Sequence, residues 1–277
     1  MGYHRILSVQ DLSCLGQCSA AVALPILSAC GQEVCLLPTA LLSTHTGGFS
    51  DVHRRSLTED MEAICCHWQR EGICFDAIST GYLGSAEQID KVETIFRSLA
   101  GDPCVKIVDP AMADHGKLYR GFDEAYAAKM KRLCAMADVI LPNVTEAYML
   151  TDTPMQDTCD ASQANMLLEK LSDLGPVTVV ITGVDYGPEL TGVAVLLNGQ
   201  VHHCPHDRLP GGCHGTGDIF AAALVGSWLR TGELLQSVKL AGEFAKRCIQ
   251  ATREAPAHWY GVKFETQLPW LCRQLEE

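Results

Sequence analysis

The residues best suited to chemistry are Gly215-Thr216-Gly217-Asp218, set directly against the apolar run "IFAAALVG". Glycines let a backbone come close to a ligand and turn through positive φ. The first turn of a helix presents N–H groups without intrahelical partners, and the helix dipole adds positive potential there. That combination suits an anion such as a transferring phosphoryl group. A carboxylate beside it can take the proton of an alcohol attacking phosphorus, help worth ~10²–10⁴ in rate. The plainer alternative is that Asp218 only caps a helix over 218–230, since aspartate is a good N-cap. Neither G-x-x-x-x-G-K-[ST] nor G-x-G-x-x-G occurs, which argues against P-loop and Rossmann assignments.

A second set is Asp109, Asp114, Asn143 and Glu146, polar residues just after apolar strand candidates, where parallel sheets place their sites. Asp109-Pro110 and Asn143 could equally end strands and start turns. A third group, His202, His203, Cys204 and His206 in "VHHCPH", invites a metal by ligand type. Alternation along a strand sends His202 and Cys204 to one face and His203 to the other, which breaks up the set.

The elements that must position these residues read as alternating strands and helices. Strand candidates are 5–10, 33–41, 76–83, 104–110, 138–143 and 177–183, almost continuously apolar, as in strands covered on both faces. Between them lie helical stretches. One is 17–31, with Pro25 as a kink and Gly31 as its terminator. Another is 85–101, with Ser85 and Gln88 spaced as a capping box, and 123–137 and 161–175 follow. Strand-helix repetition predicts a mainly parallel sheet within an α/β fold. After residue 190, Asn198-Gly199 between two β-runs predicts a hairpin, followed by helical stretches 218–230, 233–252 and 265–276. No linker or repeat interrupts the chain, so residues 1–277 are expected to form a single domain.

Composition narrows the partners. The net charge of −12 argues against a nucleic-acid backbone or an anionic membrane. No apolar run reaches the ~18 residues of a membrane span, and the N-terminus lacks a signal pattern. Fourteen cysteines, none at C-x-x-C spacing and many in apolar runs, read as reduced thiols, so a cytoplasmic location is expected.

"CHGTGDIFAAAL" (213–224) resembles the C-terminal signature of the ribokinase-like superfamily. "ILSVQDLSCLGQCSAAVALPIL", "TALLSTHTG" (39–47), "STGYLGS" (79–85), "VDPAMADHGKLY" (108–119) and "ADVILPNVTEAYMLT" (137–151) are similar to segments of the vitamin B6 kinases, in the same order. The resemblance covers about 8–252. It implies a ribokinase-like three-layer α/β/α sandwich, with a mainly parallel central sheet and a C-terminal β-hairpin. It also implies ATP-dependent phosphorylation of the 5′-hydroxymethyl group of a B6 vitamer (pyridoxal, pyridoxamine or pyridoxine) in pyridoxal 5′-phosphate salvage.

In that resemblance Asp218 is the base, and Gly215, Thr216 and Gly217 form the anion hole. Asp109, Asp114, Tyr119, Asn143, Glu146 and Thr182 surround ATP and its cations, with Asp114 and Glu146 toward Mg²⁺ and a monovalent ion (K⁺) expected as well. Asp11, Thr46 and Tyr82 face the vitamer. Family members are generally homodimers, and the same is expected here. Departures are Asp11 where serine is common, Gln17 for asparagine, Gly183 for serine, Ala111 and Ala113 around Met112, and His214 at a usually apolar position. Two other functions compete: a hydroxymethylpyrimidine kinase of the same superfamily, and a non-catalytic vitamer- or nucleotide-binding protein.

Overall fold

The computed structural model describes residues 2–255 and 257–276. In chain order the elements are β1 (Arg5–Ser13), α1 (Ala20–Ala29), β2 (Glu33–Leu42), β3 (Arg54–Ser56), α2 (Thr58–Arg70), β4 (Phe75–Thr80), α3 (Ala86–Ser98) and β5 (Ala100–Val108). There follow β6 (Ala113–Asp114), β7 (Lys117–Leu118), α4 (Glu124–Cys134), β8 (Val139–Ile140), α5 (Val144–Leu150), α6 (Ala161–Ser172) and β9 (Thr178–Asp185). The last are β10 (Leu190–Leu197), β11 (Gln200–Asp207), α7 (Thr216–Thr231), α8 (Leu234–Arg253), a 3₁₀ turn (Glu265–Gln267) and α9 (Leu268–Gln274). No helix among the described residues is long and apolar enough to cross a membrane.

Two compact units emerge. Met1–Ile64 with Leu209–Glu277 make the first, and Cys65–Arg208 the second. In the first, β1 and β2 pair in parallel through the α1 crossover, and β3 adds antiparallel to β2. Ile6, Leu7 and Val9 of β1, Val22 and Ile26 of α1 and Ile219 and Ala223 of α7 are fully buried. Gly226 lets α7 lie close to α1: a Cβ there would come within 2.8 Å of both Cβ and Sγ of Cys30.

In the second unit β4, β5, β8 and β9 run parallel in that order, and β10 and β11 continue from β9 as antiparallel strands. The hairpin turns at Asn198 (φ 51°) and Gly199 (φ 75°), both left-handed as a tight two-residue turn requires. The expected α/β class, the mainly parallel strands and the late hairpin are therefore present.

Several local expectations differ. The α7 helix opens at Thr216 rather than 218, and α1 opens at Ala20 rather than Gln17. The strand expected over 138–143 is continuous only through Val139 and Ile140, with a single further bridge at Asn143. Ser85 does cap α3, accepting the Gln88 N–H. The Gln88 side chain reaches one residue further back, to the Gly84 N–H (2.7 Å), so the capping box is offset.

Candidate active site

In the first unit, the turn after β1 meets the start of α7. Gly215 is the N-cap of α7, left-handed at φ 85°. A Cβ there would collide with the Gln17 carbonyl oxygen, so glycine is required both by conformation and by close approach. The first intrahelical bond runs from the Ile219 N–H to the Gly215 carbonyl (3.0 Å), so the N–H groups of Thr216, Gly217 and Asp218 precede the ladder. Thr216 spends its hydroxyl on the Cys213 carbonyl (2.8 Å). Gly217 is different from Gly215: its φ is not positive, and an added Cβ would meet nothing within 4 Å. Neither strain nor packing explains this glycine, and the space beside it is open.

Asp218 is the third residue of α7, half-buried, and the cap belongs to Gly215. The capping role considered for Asp218 thus falls to Gly215, and the Asp218 carboxylate stands in the first turn of α7, where a negative charge is favoured. Near it lies Cys18, whose thiol is pushed well above its ordinary pKa by burial, then by the charges of Asp218 and Asp11.

Asp11 sits in β1 where the pairing with β2 shifts register between Gln10 and Leu12. Such a bulge re-aims a side chain. The Asp11 carboxylate is 4% exposed and accepts from the Ser13 hydroxyl (3.3 Å) and the Ser19 side chain. Burial raises its pKa, while Ser19, Ser13 and then Arg54 pull it back. Ser19 is the N-cap of α1 at φ 51°, ψ −130°, yet its side chain makes no cap bond. A non-glycine residue in that region carries ~1–3 kcal/mol of strain, typical of functional turns.

Thr46 is exposed on the loop after β2. Its neighbour His45 is 4% exposed and fixed in one tautomer. The Gly47 N–H donates to Nδ1 (3.1 Å), which leaves Nε2–H to donate to the Tyr260 carbonyl (2.7 Å). The rings of Phe49 and His214 stand 5.1 and 5.3 Å from it. Partial desolvation, and then His45, lower the pKa of His214. Cys18, Ser13, Ser19 and His45 also belong to this group, and no motif in the sequence singles them out. "LSCLGQCS" (12–19) and "STHTG" (43–47) contain them, but only the bulge and the two loops bring them together.

In the second unit the acidic set forms a cluster. Asn143 caps α5 in a full capping box: its Oδ1 accepts the Glu146 N–H (3.0 Å), and its own N–H donates to Glu146 Oε2 (2.9 Å). Glu146 Oε1 accepts from the Met112 N–H (2.9 Å) and the Ala113 N–H (3.3 Å), and Asn143 Nδ2 donates to the Ala113 carbonyl (2.8 Å). The Asp109 Oδ1 accepts the Ala111 N–H (3.1 Å). Asp114 lies on the exposed β6–β7 hairpin, with His115 N–H on its Oδ1 (2.7 Å).

Asp109 and Glu146 are both pushed far above the ordinary carboxylate range, chiefly by desolvation. The Glu146 charge adds to the effect on Asp109, and that of Asp114 to the effect on Glu146. Three backbone N–H bonds pull Glu146 partly back. Thr182 bridges Asn143 in parallel register. Gly183 (φ 83°) occupies the bulge where β9 shifts against β10, so a left-handed turn accounts for glycine at this departure. Tyr119 is 39% exposed. Tyr82 is half-buried and stacks on Phe122 (5.5 Å, 28°), which itself stacks on Tyr126 (3.8 Å, 6°).

Among the described residues no group of three or more His, Cys, Asp or Glu side chains could hold a metal by itself. On β11, His202, Cys204 and His206 share the less exposed face, and His203 is exposed, its Nδ1 2.7 Å from the Tyr186 hydroxyl. A hard cation that keeps waters and shares phosphate oxygens needs only one or two protein carboxylates. The Asp109–Glu146 pair, whose ionised forms a bound cation would favour, fits such an ion.

This crowding has a measurable consequence. Carboxylates with raised native pKa values contribute stability below their unfolded values, 3.8 for Asp109 and 4.5 for Glu146, and lose it as pH rises. Asp109→Asn should therefore match wild type at pH 4 and exceed its Tm by ~2 °C or more at pH 8 in metal-free buffer. Equal Tm values across that range in scanning calorimetry would contradict the mutual repulsion.

Comparison with known proteins follows the same lines. A family model described as phosphomethylpyrimidine kinase matches residues 24–262. A pyridoxine/pyridoxal/pyridoxamine kinase of Bordetella avium is 31% identical over 260 residues, covering 90% of this chain and 86% of its own. The chain spans about half (48%) of the chloroplastic thiamine biosynthetic bifunctional enzyme TH1 of Arabidopsis thaliana, and 88% of this chain is matched at 25% identity. A Bacteroides thetaiotaomicron protein crystallised with pyridoxal superimposes with a TM-score of 0.91 at 33% identity, over 99% of this chain and 96% of that one.

Proposed function

The chain belongs to the phosphomethylpyrimidine kinase family and stands with the pyridoxal kinases of the ribokinase-like superfamily. From that premise we propose that it transfers the γ-phosphoryl group of ATP to the 5′-hydroxymethyl group of a B6 vitamer, in pyridoxal 5′-phosphate salvage. The observation that carries this reading is the start of α7. A carboxylate without a capping duty stands beside N–H groups that precede the helix ladder, with open space at Gly217.

In this mechanism Asp218 takes the proton of the vitamer's primary alcohol as its oxygen bonds to the γ-phosphorus. The bond from that phosphorus to the β–γ bridging oxygen breaks, and ADP leaves with the bond's electron pair. Backbone N–H groups of the Gly215-Thr216-Gly217 loop receive the charge on the transferring oxygens. Phosphoryl transfer depends mainly on positioning and charge stabilisation, which backbone donors supply without moving.

Asp109, Asp114, Asn143 and Glu146 would hold Mg²⁺ directly or through water, with a monovalent cation nearby. When bound, these ions neutralise phosphate charge. Of the residues expected near the nucleotide, Thr182 adjoins Asn143, and Tyr119, part-exposed, is assigned to the nucleotide. Tyr82 and Thr46 are assigned to the vitamer.

The test is a panel of pyridoxal, pyridoxine, pyridoxamine and hydroxymethylpyrimidine with ATP and Mg²⁺, following ADP and phosphorylated product. Turnover highest with a B6 vitamer supports the reading. The family description and the thiamine-biosynthetic relative favour hydroxymethylpyrimidine kinase as the second reading, and higher turnover on that pyrimidine would establish it. Within the panel, Asp11 sets a preference: its buried carboxylate is suited to a protonated ring nitrogen or a cationic amine. Asp11→Ser should lower kcat/KM for pyridoxamine relative to pyridoxal about tenfold. An unchanged ratio would detach Asp11 from substrate choice.

A further inference from the structure

Residues 43–53, between β2 and β3, form an irregular loop, and Thr46 on it is exposed. A substrate contact made from such a loop needs a firm support. The segment 257–261 after α8 supplies one. Gly261 bridges Gln17 in parallel register, and a Cβ on Gly261 would come within 2.5 Å of Gln17 Oε1 and 2.8 Å of its backbone nitrogen. That close approach seats the segment on the turn after β1 independently of the loop, so the Tyr260 carbonyl is a fixed acceptor.

His45 hangs the loop from this carbonyl. Its Nε2–H donates to Tyr260 (2.7 Å), while Nδ1 accepts the Gly47 N–H (3.1 Å). The ring is buried against Gly16, left-handed at φ 102°, where any Cβ would collide with the imidazole Cδ2. Loop and segment meet again further out, where the Phe49 ring stands 4.7 Å from that of the exposed Trp259.

We infer that His45 is a positioning residue for the vitamer: one neutral imidazole latches the Thr46 loop to the Tyr260 carbonyl, so that Thr46 meets the substrate from a set position. The inference rests on the proposed vitamer kinase activity, with Thr46 facing the vitamer. Neutral imidazole carries an acceptor and a donor on separate corners of a rigid ring. A single side chain therefore shapes the turn at Gly47 and ties it to Tyr260. Neither amide side chain reproduces both bonds. Asparagine can place its oxygen near the Nδ1 position but is too short to reach Tyr260, whereas glutamine can place an N–H near the Nε2 position and loses the Gly47 bond.

The experiment compares wild type, His45→Ala, His45→Gln and His45→Asn with pyridoxal, ATP and Mg²⁺, recording kcat, both KM values and melting temperature. Loss of the latch in His45→Ala raises KM for pyridoxal ~10-fold and leaves KM for ATP within about twofold. His45→Gln returns KM for pyridoxal to within about threefold of wild type, and His45→Asn stays near the alanine value. Hydrogen exchange of residues 44–50 without substrate follows the same order, slow in wild type and the glutamine variant, faster in the other two.

Rescue by asparagine instead of glutamine, equal behaviour of the two amides, or a parallel rise in both KM values would overturn the inference. So would lowered melting temperatures with KM values unchanged, the mark of a merely structural residue. Should His45→Ala fail to fold, the two amide variants decide. Thr46→Val separates the levels: an unchanged KM for pyridoxal defeats the assignment of Thr46, whereas a raised one beside wild-type behaviour of every His45 variant defeats only the latch. If wild type leaves pyridoxal unphosphorylated, the kinase reading fails, and the exchange order still decides whether His45 holds the loop.

Discussion

Asp218→Asn lowers kcat by ~10²–10⁴ while leaving both KM values near those of wild type. Asparagine keeps the shape of the side chain and can still accept a hydrogen bond, but it cannot take the alcohol's proton. Folding should hardly register the change. The residue is third in α7 and does not cap it, so the substitution removes only a favourable charge at a helix N-terminus, ~0.3–1 kcal/mol. Steady-state kinetics beside a thermal melt therefore give a large loss and a small one. Turnover within a few-fold of wild type would remove Asp218 from the chemistry.

Gly217→Ala makes the second large effect, and its two readouts go in opposite directions. Alanine is favoured over glycine in a helix by up to about 1 kcal/mol, and here its methyl group enters empty space without backbone strain. Stability should hold or rise. That same methyl occupies the place assigned to the phosphoryl oxygens, and loss of one anion-hole donor typically costs ~10²–10³ in kcat. A more stable and nearly inactive protein is the expected outcome, checked by melting temperature and kcat/KM for ATP. Gly215→Ala is the contrasting control: its left-handed φ and the nearby Gln17 carbonyl make it a folding defect first. Full activity in Gly217→Ala would show that no ligand uses the space.

These contrasts also mark how far the residue sequence could be read. Parallel strands with intervening helices were legible because each apolar run carries its own pattern, and Asn198-Gly199 specifies its turn within two residues. Elements with little pattern escaped notice. The β3 strand is three polar residues, and β6 and β7 are two residues each, too short for alternation to appear. The helix over Thr58–Arg70 did carry a signal, Thr58 followed by Glu59 and Asp60, which went unused.

At the active site the polar residues could be named, but their division of labour could not. Aspartate ahead of an apolar helix looks like a cap, and only the left-handed Gly215 shows that the cap lies three residues earlier. The hydroxyls on Asp11 come from Ser13 and Ser19, and the thiol nearest the Gly215 cap from Cys18. A bulge and a strained turn bring these together, and neither has a sequence period to betray it.

The first unit is assembled from two segments far apart in the sequence, and this orders events during synthesis. A ribosome releases Asp11, Cys18 and His45 early, with the apolar side of α1 already made. Their companions Asp218, Gly226 and Tyr260 appear only about two hundred residues later. Until then α1 lacks α7, and the His45 ring lacks the Tyr260 carbonyl that fixes its proton. Cys65–Arg208 leaves the ribosome in one piece during that interval, so it can fold first while the early segment waits with its greasy surface uncovered. The cluster is thus completed only once α7 and Tyr260 have been made, and until then the apolar side of α1 is the surface most in need of protection.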